Sequence, residues 1–242
     1  MNMKSRILII IFCLFACVLN AQTTDEKRTT WDYPVKPGTE EWKKLKSYEE
    51  QLSAYNIPNE IIKIISTAEL VKICLAYPEW GVIDAFNNRR IGLNNMMSQF
   101  NGFQELFSRN DAAKELIKVY SSVDPLAIGK DWTLLQKGNY SFQINCIELL
   151  LSHGMIIEKL DVQDTQTLLN EVVGKYNQKK QLPDVYSLWS LSPTAGLCLC
   201  VVDKDGYFSK NDAKLLSLKR TFMSEDIEVL NKVVESVNIN KK

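Results

Sequence analysis

The sequence predicts an all-α domain made of many short helices, and three observations predict it. From Thr39 to Val237 a Ser, Thr, Asn or Asp residue opens one apolar-periodic run after another, and a Pro, Gly or Asn closes it. Strand alternation is scarce: only Leu197–Val202 reads as a buried strand, and Ser192-Pro193 before it is an equally good helix start. The third observation is an internal echo. Glu69-Leu70-Val71-Lys72-Ile73 and Glu115-Leu116-Ile117-Lys118-Val119 match in character at every position, and each runs into a proline, Pro78 or Pro125. Their offset falls in the window of HEAT and armadillo arrays, about 40–47 residues per unit. A HEAT/armadillo-like α-α superhelix and an irregular helical bundle both satisfy this pattern. In the first, Leu70, Ile73 and Cys74 occupy core positions equivalent to Leu116, Val119 and Tyr120.

Residues 1–21 are set aside as an export signal. Lys4 and Arg6 form a basic start, Ile7 to Leu19 is an uncharged apolar run, and Leu19-Asn20-Ala21 precedes Gln22 as a small-residue cleavage site. The run is shorter than the ~20 residues of a membrane-spanning helix, so the mature chain is expected to have no transmembrane segment. It is expected to be periplasmic or secreted by the Sec route. Lipid anchoring at Cys17 is the lesser alternative, because Phe15 is bulky for its place before Ala16 in such a cleavage site. Residues 22–38 are expected to form a flexible polar leader broken by Pro34, Pro37 and Gly38, with Trp31 and Tyr33 able to tack onto the domain.

A single helical domain follows over 39–239. Thr39 is a good N-cap for a helix carrying Trp42, Leu45, Leu52 and Tyr55, which Asn56 and Pro58 end. Ser66 and Glu69 have capping-box spacing and open a helix with Leu70, Ile73, Cys74 and Tyr77, stopped by Pro78. Helices are predicted over 89–99, 103–108 and 111–123, jointed at Asn87, Asn88, Asn101, Gly102 and Asn110. Further ones run over 139–152, 164–177 and 224–237.

The stretches ISTAELVKICLAYP and QFNGFQELFSRNDAAKELIKVY resemble an uncharacterised family of exported, helical proteins from gut bacteria, over about residues 40–200. No activity or catalytic residue is assigned to that family. The resemblance implies an all-helical fold and nothing about mechanism.

Charge and cysteines narrow the function classes. Of 29 basic residues Lys4 and Arg6 leave with the signal, so 27 face 29 acidic ones. A near-neutral chain without a polybasic block is a poor partner for nucleic acid or an anionic membrane. Cys74, Cys146, Cys198 and Cys200 each lie in an apolar run of the kind that buries a free thiol, although an exported chain could also pair them.

Few constellations could carry chemistry. VVDKDGYFSKND over 201–212 places Asp203, Asp205 and Asp212 at the third, fifth and twelfth positions of a calcium loop, but Val201 stands first, where a carboxylate is needed. An Asp-Gly turn with Gly206 left-handed is the favoured reading. His153, the only histidine, is expected to complement the dipole at the end of its helix. Cys146, seven residues earlier, lies roughly 10 Å away along that helix, too far to pair with it. SPTAG lacks the glycine before the serine of a nucleophile elbow, the glycines are scattered singly, and no carboxylate pair is singled out. No catalytic residue, cofactor or metal site is therefore assigned.

What remains is AFNNRRIGLNNMMSQFNGF. Asn87, Asn88, Arg89 and Arg90 form a candidate ligand-binding edge at a solvated joint, with Met96 and Met97 as an adaptable apolar surface. The expected function is a non-catalytic, exported binding module for a peptide, protein or envelope polymer. Two alternatives are kept. One is a carboxylate enzyme on envelope glycan, its cleft flanked by Trp80 or Trp189; the other is a calcium-stabilised structural module. Export has a direct check: an epitope-tagged chain is expected in the envelope or medium without residues 1–21, and full-length protein confined to the cytoplasm would refute it.

Overall fold

The computed structural model describes residues 30–239; residues 1–21, read above as an export signal, and Cys17 among them lie outside the described residues. Among the described residues the chain forms thirteen α-helices and one 3-10 segment, with no strand. In order they are α1 (Glu40–Lys43), α2 (Tyr48–Ala54), α3 (Asn59–Ile62), α4 (Thr67–Leu75), the 3-10 segment Trp80–Ala85, α5 (Arg89–Gln99), α6 (Asn101–Ser108) and α7 (Ala112–Ser122). Then follow α8 (Leu134–Leu151), α9 (Gly154–Ile157), α10 (Val162–Lys180), α11 (Leu188–Val202), α12 (Ala213–Thr221) and α13 (Ile227–Ile239). No helix among them is long and apolar enough to cross a membrane.

The caps explain most boundaries. Thr39 Oγ1 accepts from the Trp42 amide at 3.2 Å and Ser66 Oγ from the Glu69 amide at 3.2 Å, as their spacing implies. The single helix expected from Thr39 to Tyr55 is instead two. Ser47 accepts from the Glu50 amide while the Glu50 carboxylate accepts from the Lys46 amide, so a second N-terminus forms where the first helix would continue. α8 starts at Leu134, ahead of the predicted Asn139, because Thr133 and Gln136 close a reciprocal capping box. Asp226, not Ser224, receives the first amides of α13, from Glu228 and Val229.

The echo corresponds to real stacking. Leu70, Ile73, Cys74, Leu116 and Tyr120 are buried and Val119 half-buried. α4 packs on both α6 and α7, and α7 on α10. The joints before α4, α7 and α10 align as a polar seam. Arg109 donates to the Ile62 and Ile65 carbonyls at 2.7 Å each, and Thr67 Oγ1 to Asp111 at 2.8 Å. Lys159 donates to the Phe107 carbonyl, and Lys114 pairs with Asp161. Asn101 ties the joint before α3 to the one before α6, donating to the Ile57 carbonyl and accepting from its amide. The array stays local because α5, α8 and α11 to α13 do not follow the period, so the whole is an irregular helical bundle. Tyr33 extends it upstream of Thr39: its ring is buried among Tyr55, Tyr77 and Phe100, and its hydroxyl donates to the Ile73 carbonyl.

α11 is the central helix, packed by α8, α10, α12 and α13 and buried along twelve of its fifteen residues. An element buried on every side carries no amphipathic period, which is why Leu197–Val202 resembles a strand in sequence. Pro193 sits inside this helix and removes one backbone donor, leaving the Trp189 carbonyl free. Arg89 fills the gap, donating from Nη1 to that carbonyl at 2.9 Å.

Beside α11 lies a fully buried ion pair. Lys179 Nζ of α10 donates to both oxygens of Glu148 of α8 at 3.0 and 2.9 Å, to Thr194 Oγ1 at 2.9 Å and to the Ser190 carbonyl at 3.2 Å. Thr194 and Tyr120 each donate to Glu148 Oε1, at 2.8 and 2.9 Å. Burial pushes the Lys179 ammonium below its ordinary pKa while the Glu148 charge pulls it back, and burial with Glu148 raises the Tyr120 phenol. Removing one partner leaves the other charged and unpaired in the interior. Glu148→Leu and Lys179→Met are therefore each expected to cost about 3–5 kcal/mol in urea unfolding, and the double variant much less than their sum. Additive losses would mean the two groups do not act as a pair.

Candidate functional site

Among the described residues, reactive side chains gather in a sealed cluster and in an open pocket, and solvent access separates the two. In the interior, Thr194 Oγ1 lies 2.9 Å from Lys179 Nζ, a hydroxyl beside an amine of depressed pKa, which is the chemistry of an activated nucleophile. Lys179, Glu148 and Thr194 are nevertheless sealed from solvent, and the hydroxyl already donates to Glu148. With no path for a substrate, the cluster acts as structure.

The second place is open. A concave pocket of about 680 Å³ lies where α9, the end of α11, the 203–212 turn and α12 meet the first turn of α5. Its charged lining is five cations, Arg90, Lys204, Lys210, Lys219 and Arg220, against two carboxylates, Glu158 and Asp203; Ile157, Leu216 and Cys200 supply apolar wall. Asp203 is fully engaged. Its Oδ1 accepts from the Phe208 amide at 2.6 Å, and its Oδ2 from the Ser209 amide at 3.3 Å and Lys219 Nζ at 2.9 Å. These amides, with Lys219, hold its carboxyl below the ordinary pKa against the opposing effect of burial, which is the largest single influence. Gly206 at φ +72° lets the chain reverse so that both amides reach it. Asp212 caps α12 through the Lys214 and Leu215 amides and pairs with Lys232 at 2.8 Å. The turn and cap reading of 201–212 thus describes the geometry, and no group of three or more His, Cys, Asp or Glu side chains among the described residues could hold a metal ion.

The four-residue edge read from the sequence is split. Asn87 is exposed, and Asn88 caps α5, accepting from the Arg90 and Ile91 amides. Arg89, at 1% exposure, does not sit at a solvated joint: besides the Trp189 carbonyl it reaches Asp84 at 3.1 Å and lies 4.3 Å from the Trp189 ring centre. Arg90 alone reaches the pocket. Its Nη2 donates to the Lys219 carbonyl at 3.1 Å and touches Cys200 Sγ at 3.5 Å, with the guanidinium over the Phe222 ring at 4.6 Å. Phe222 is the one non-glycine residue at positive φ among those described, and its ring lies so close to Gly196 that a Cβ there would meet it at 2.3 Å. The aligned joints lie elsewhere and carry Arg109, Asp111, Lys159 and Asp161. Of the two tryptophans proposed to flank a glycan cleft, Trp80 is buried and donates to the Cys74 carbonyl. The thiols of Cys74, Cys146, Cys198 and Cys200 are all free and buried, and burial raises each pKa, that of Cys198 to about 12.

Set against known proteins, the chain matches no protein family, no curated protein and no solved structure.

His153 stands between two pocket-lining residues, Ser152 and Gly154, with its ring 4.5 Å from that of Phe107 and its Nδ1 buried without a hydrogen-bond partner among the described residues. Burial first, then the Arg90 charge and to a smaller extent that of Lys159, push its pKa below 6.5, against the opposing pull of Glu158. The imidazole is thus held neutral, contrary to the cationic dipole partner expected from sequence. A group whose folded pKa is depressed contributes stability above its unfolded value and loses it as pH falls toward the folded one. Between about pH 7.5 and pH 5.5 the wild type is expected to lose more unfolding free energy than His153→Gln. Parallel losses would show that His153 is not the titrating group.

Proposed function

We propose that the chain is an exported, non-catalytic helical module that binds a peptide, protein or envelope polymer, and that its ligand seats in the pocket beneath α12. One observation carries this reading: a near-neutral chain collects five cations around one concavity, with apolar wall beside them. The pocket's side chains also disfavour the carboxylate-enzyme alternative. Of its two acids, Asp203 has both oxygens committed to amides and to Lys219, which leaves Glu158 without a second carboxylate to divide acid and base roles. The calcium-stabilised alternative draws no support either, since Asp203 and Asp212 are occupied by the turn and by the cap.

A photo-crosslinking residue in place of Lys210, at the pocket, tests the reading in intact cells. It is expected to capture envelope material that the same residue in place of Lys63, in the joint before α4, does not. Charge reversal by Lys204→Glu and Arg220→Glu should abolish the adduct while leaving the melting temperature within a few degrees, because exposed substitutions usually shift stability by about 0.5 kcal/mol or less. Equal capture at both positions would refute the assignment.

A further inference from the structure

We infer that the group seated in this pocket is a phosphate monoester carried on an apolar body; the inference rests on the pocket being the binding site. The charge bookkeeping points there. Lys219 is neutralised by Asp203, and Arg90 is tied to a carbonyl, a thiol and the Phe222 ring without any carboxylate. Lys204, Lys210 and Arg220 line the pocket with no hydrogen-bond or ion-pair partner among the described residues, and Glu158 is the one remaining acid in the lining. Four cations against one carboxylate leave three positive charges uncompensated. A carboxylate ligand offsets one, whereas a phosphate monoester carries about −1.5 to −2 at neutral pH and offers three acceptor oxygens to donors arriving from different sides.

The donors do arrive from different sides. Lys204 and Lys210 come from the two arms of the 203–212 turn, Arg220 from the last turn of α12 and Arg90 from α5. The turn is fixed by the Asp203 bonds and by Gly206, so its two lysines are held on a formed support. The cavity is also too large for inorganic phosphate alone: about 680 Å³ lies in the range of sites that hold whole organic ligands, roughly 300–1,000 Å³. Ile157 and Leu216 face the remaining space and suit an apolar body. The same headgroup chemistry occurs on a free phosphomonoester and on a phosphomonoester lipid of the envelope.

Phenyl phosphate is a direct probe, titrated calorimetrically into the protein lacking residues 1–21. Saturable binding with a Kd of about 10 μM to 1 mM is expected, weakening as salt rises. Lys204→Gln/Lys210→Gln/Arg220→Gln should weaken it at least about tenfold with an unchanged melting curve, and phenyl sulfate, a monoanion of the same shape, should bind more weakly than phenyl phosphate. Leu216→Ala should weaken phenyl phosphate and leave inorganic phosphate unaffected. Flotation with phosphatidylcholine vesicles containing phosphatidic acid separates the sources: co-flotation lost in the triple variant assigns the lipid, and binding of the soluble ester alone assigns a free ligand. The inference is overturned if phenyl phosphate does not bind at ~10 mM, or if the triple variant binds it equally well. Should that happen while the crosslink at position 210 persists, only the ligand class is wrong; loss of both removes the pocket as a binding site.

Discussion

An ammonium with no exposure to water must find acceptors for its three donors inside the protein, and Lys179 finds them on two other helices: the Glu148 carboxylate of α8, and the Thr194 hydroxyl and Ser190 carbonyl of α11. Tyr120 of α7 completes the shell of the carboxylate. Four helices are thereby held in one relative arrangement, because a slip of any of them would strand a charge at the cost of several kcal/mol. Apolar contacts alone permit many near-equivalent packings of Leu, Ile and Val faces. A directional cluster with each member satisfied selects among them. The rest of the interior can then be generic. Four free thiols, a proline within a helix and an α11 buried along most of its length are all tolerated around this fixed point.

Arg89 shows the same logic at smaller scale. Pro193 deletes an amide, the Trp189 carbonyl is left bare, and a cation from a helix one hundred residues away supplies the missing donor. A buried arginine is costly unless its charge is paired, and here the Asp84 carboxylate at 3.1 Å and the Trp189 ring share the charge. Arg90, the next residue along α5, points to the other side of the helix and reaches the pocket. Adjacent arginines therefore serve two unrelated tasks, one inside the fold and one at its surface.

Local signals were legible in the sequence and distant ones were not. Thr39, Ser66 and the apolar spacing of Leu70, Ile73 and Cys74 report on their own turn of helix, and each is where its spacing places it. Ser47 and Glu50 open a second N-terminus inside the run that Thr39 begins, and the Thr133–Gln136 box stands ahead of the apolar part of α8, where Leu134 and Leu135 are exposed and carry no core signal. Glu148 carried a readable warning: a carboxylate within INCIELLL must be paired if that run is buried. Its partner, 31 residues away, had no local mark. The pocket is illegible in the sequence for another reason. The 201–212 stretch stands out by its acids, while Lys204 and Lys210 on the same turn, joined by Lys219 and Arg220 on the next helix, are what line the cavity.

The position of α11 along the chain bears on biosynthesis. It begins at Leu188 of 242 residues, and α13, which packs on it, ends at Ile239. Until that last stretch leaves the ribosome, α8 and α10 have no central helix to close upon, and Glu148 and Lys179 lack Thr194. A nascent chain commonly folds domain by domain as each unit emerges. Here the described unit closes only once α11 and α13 have both been made, so the faces of α8 and α10 that pack on them stay uncovered until then.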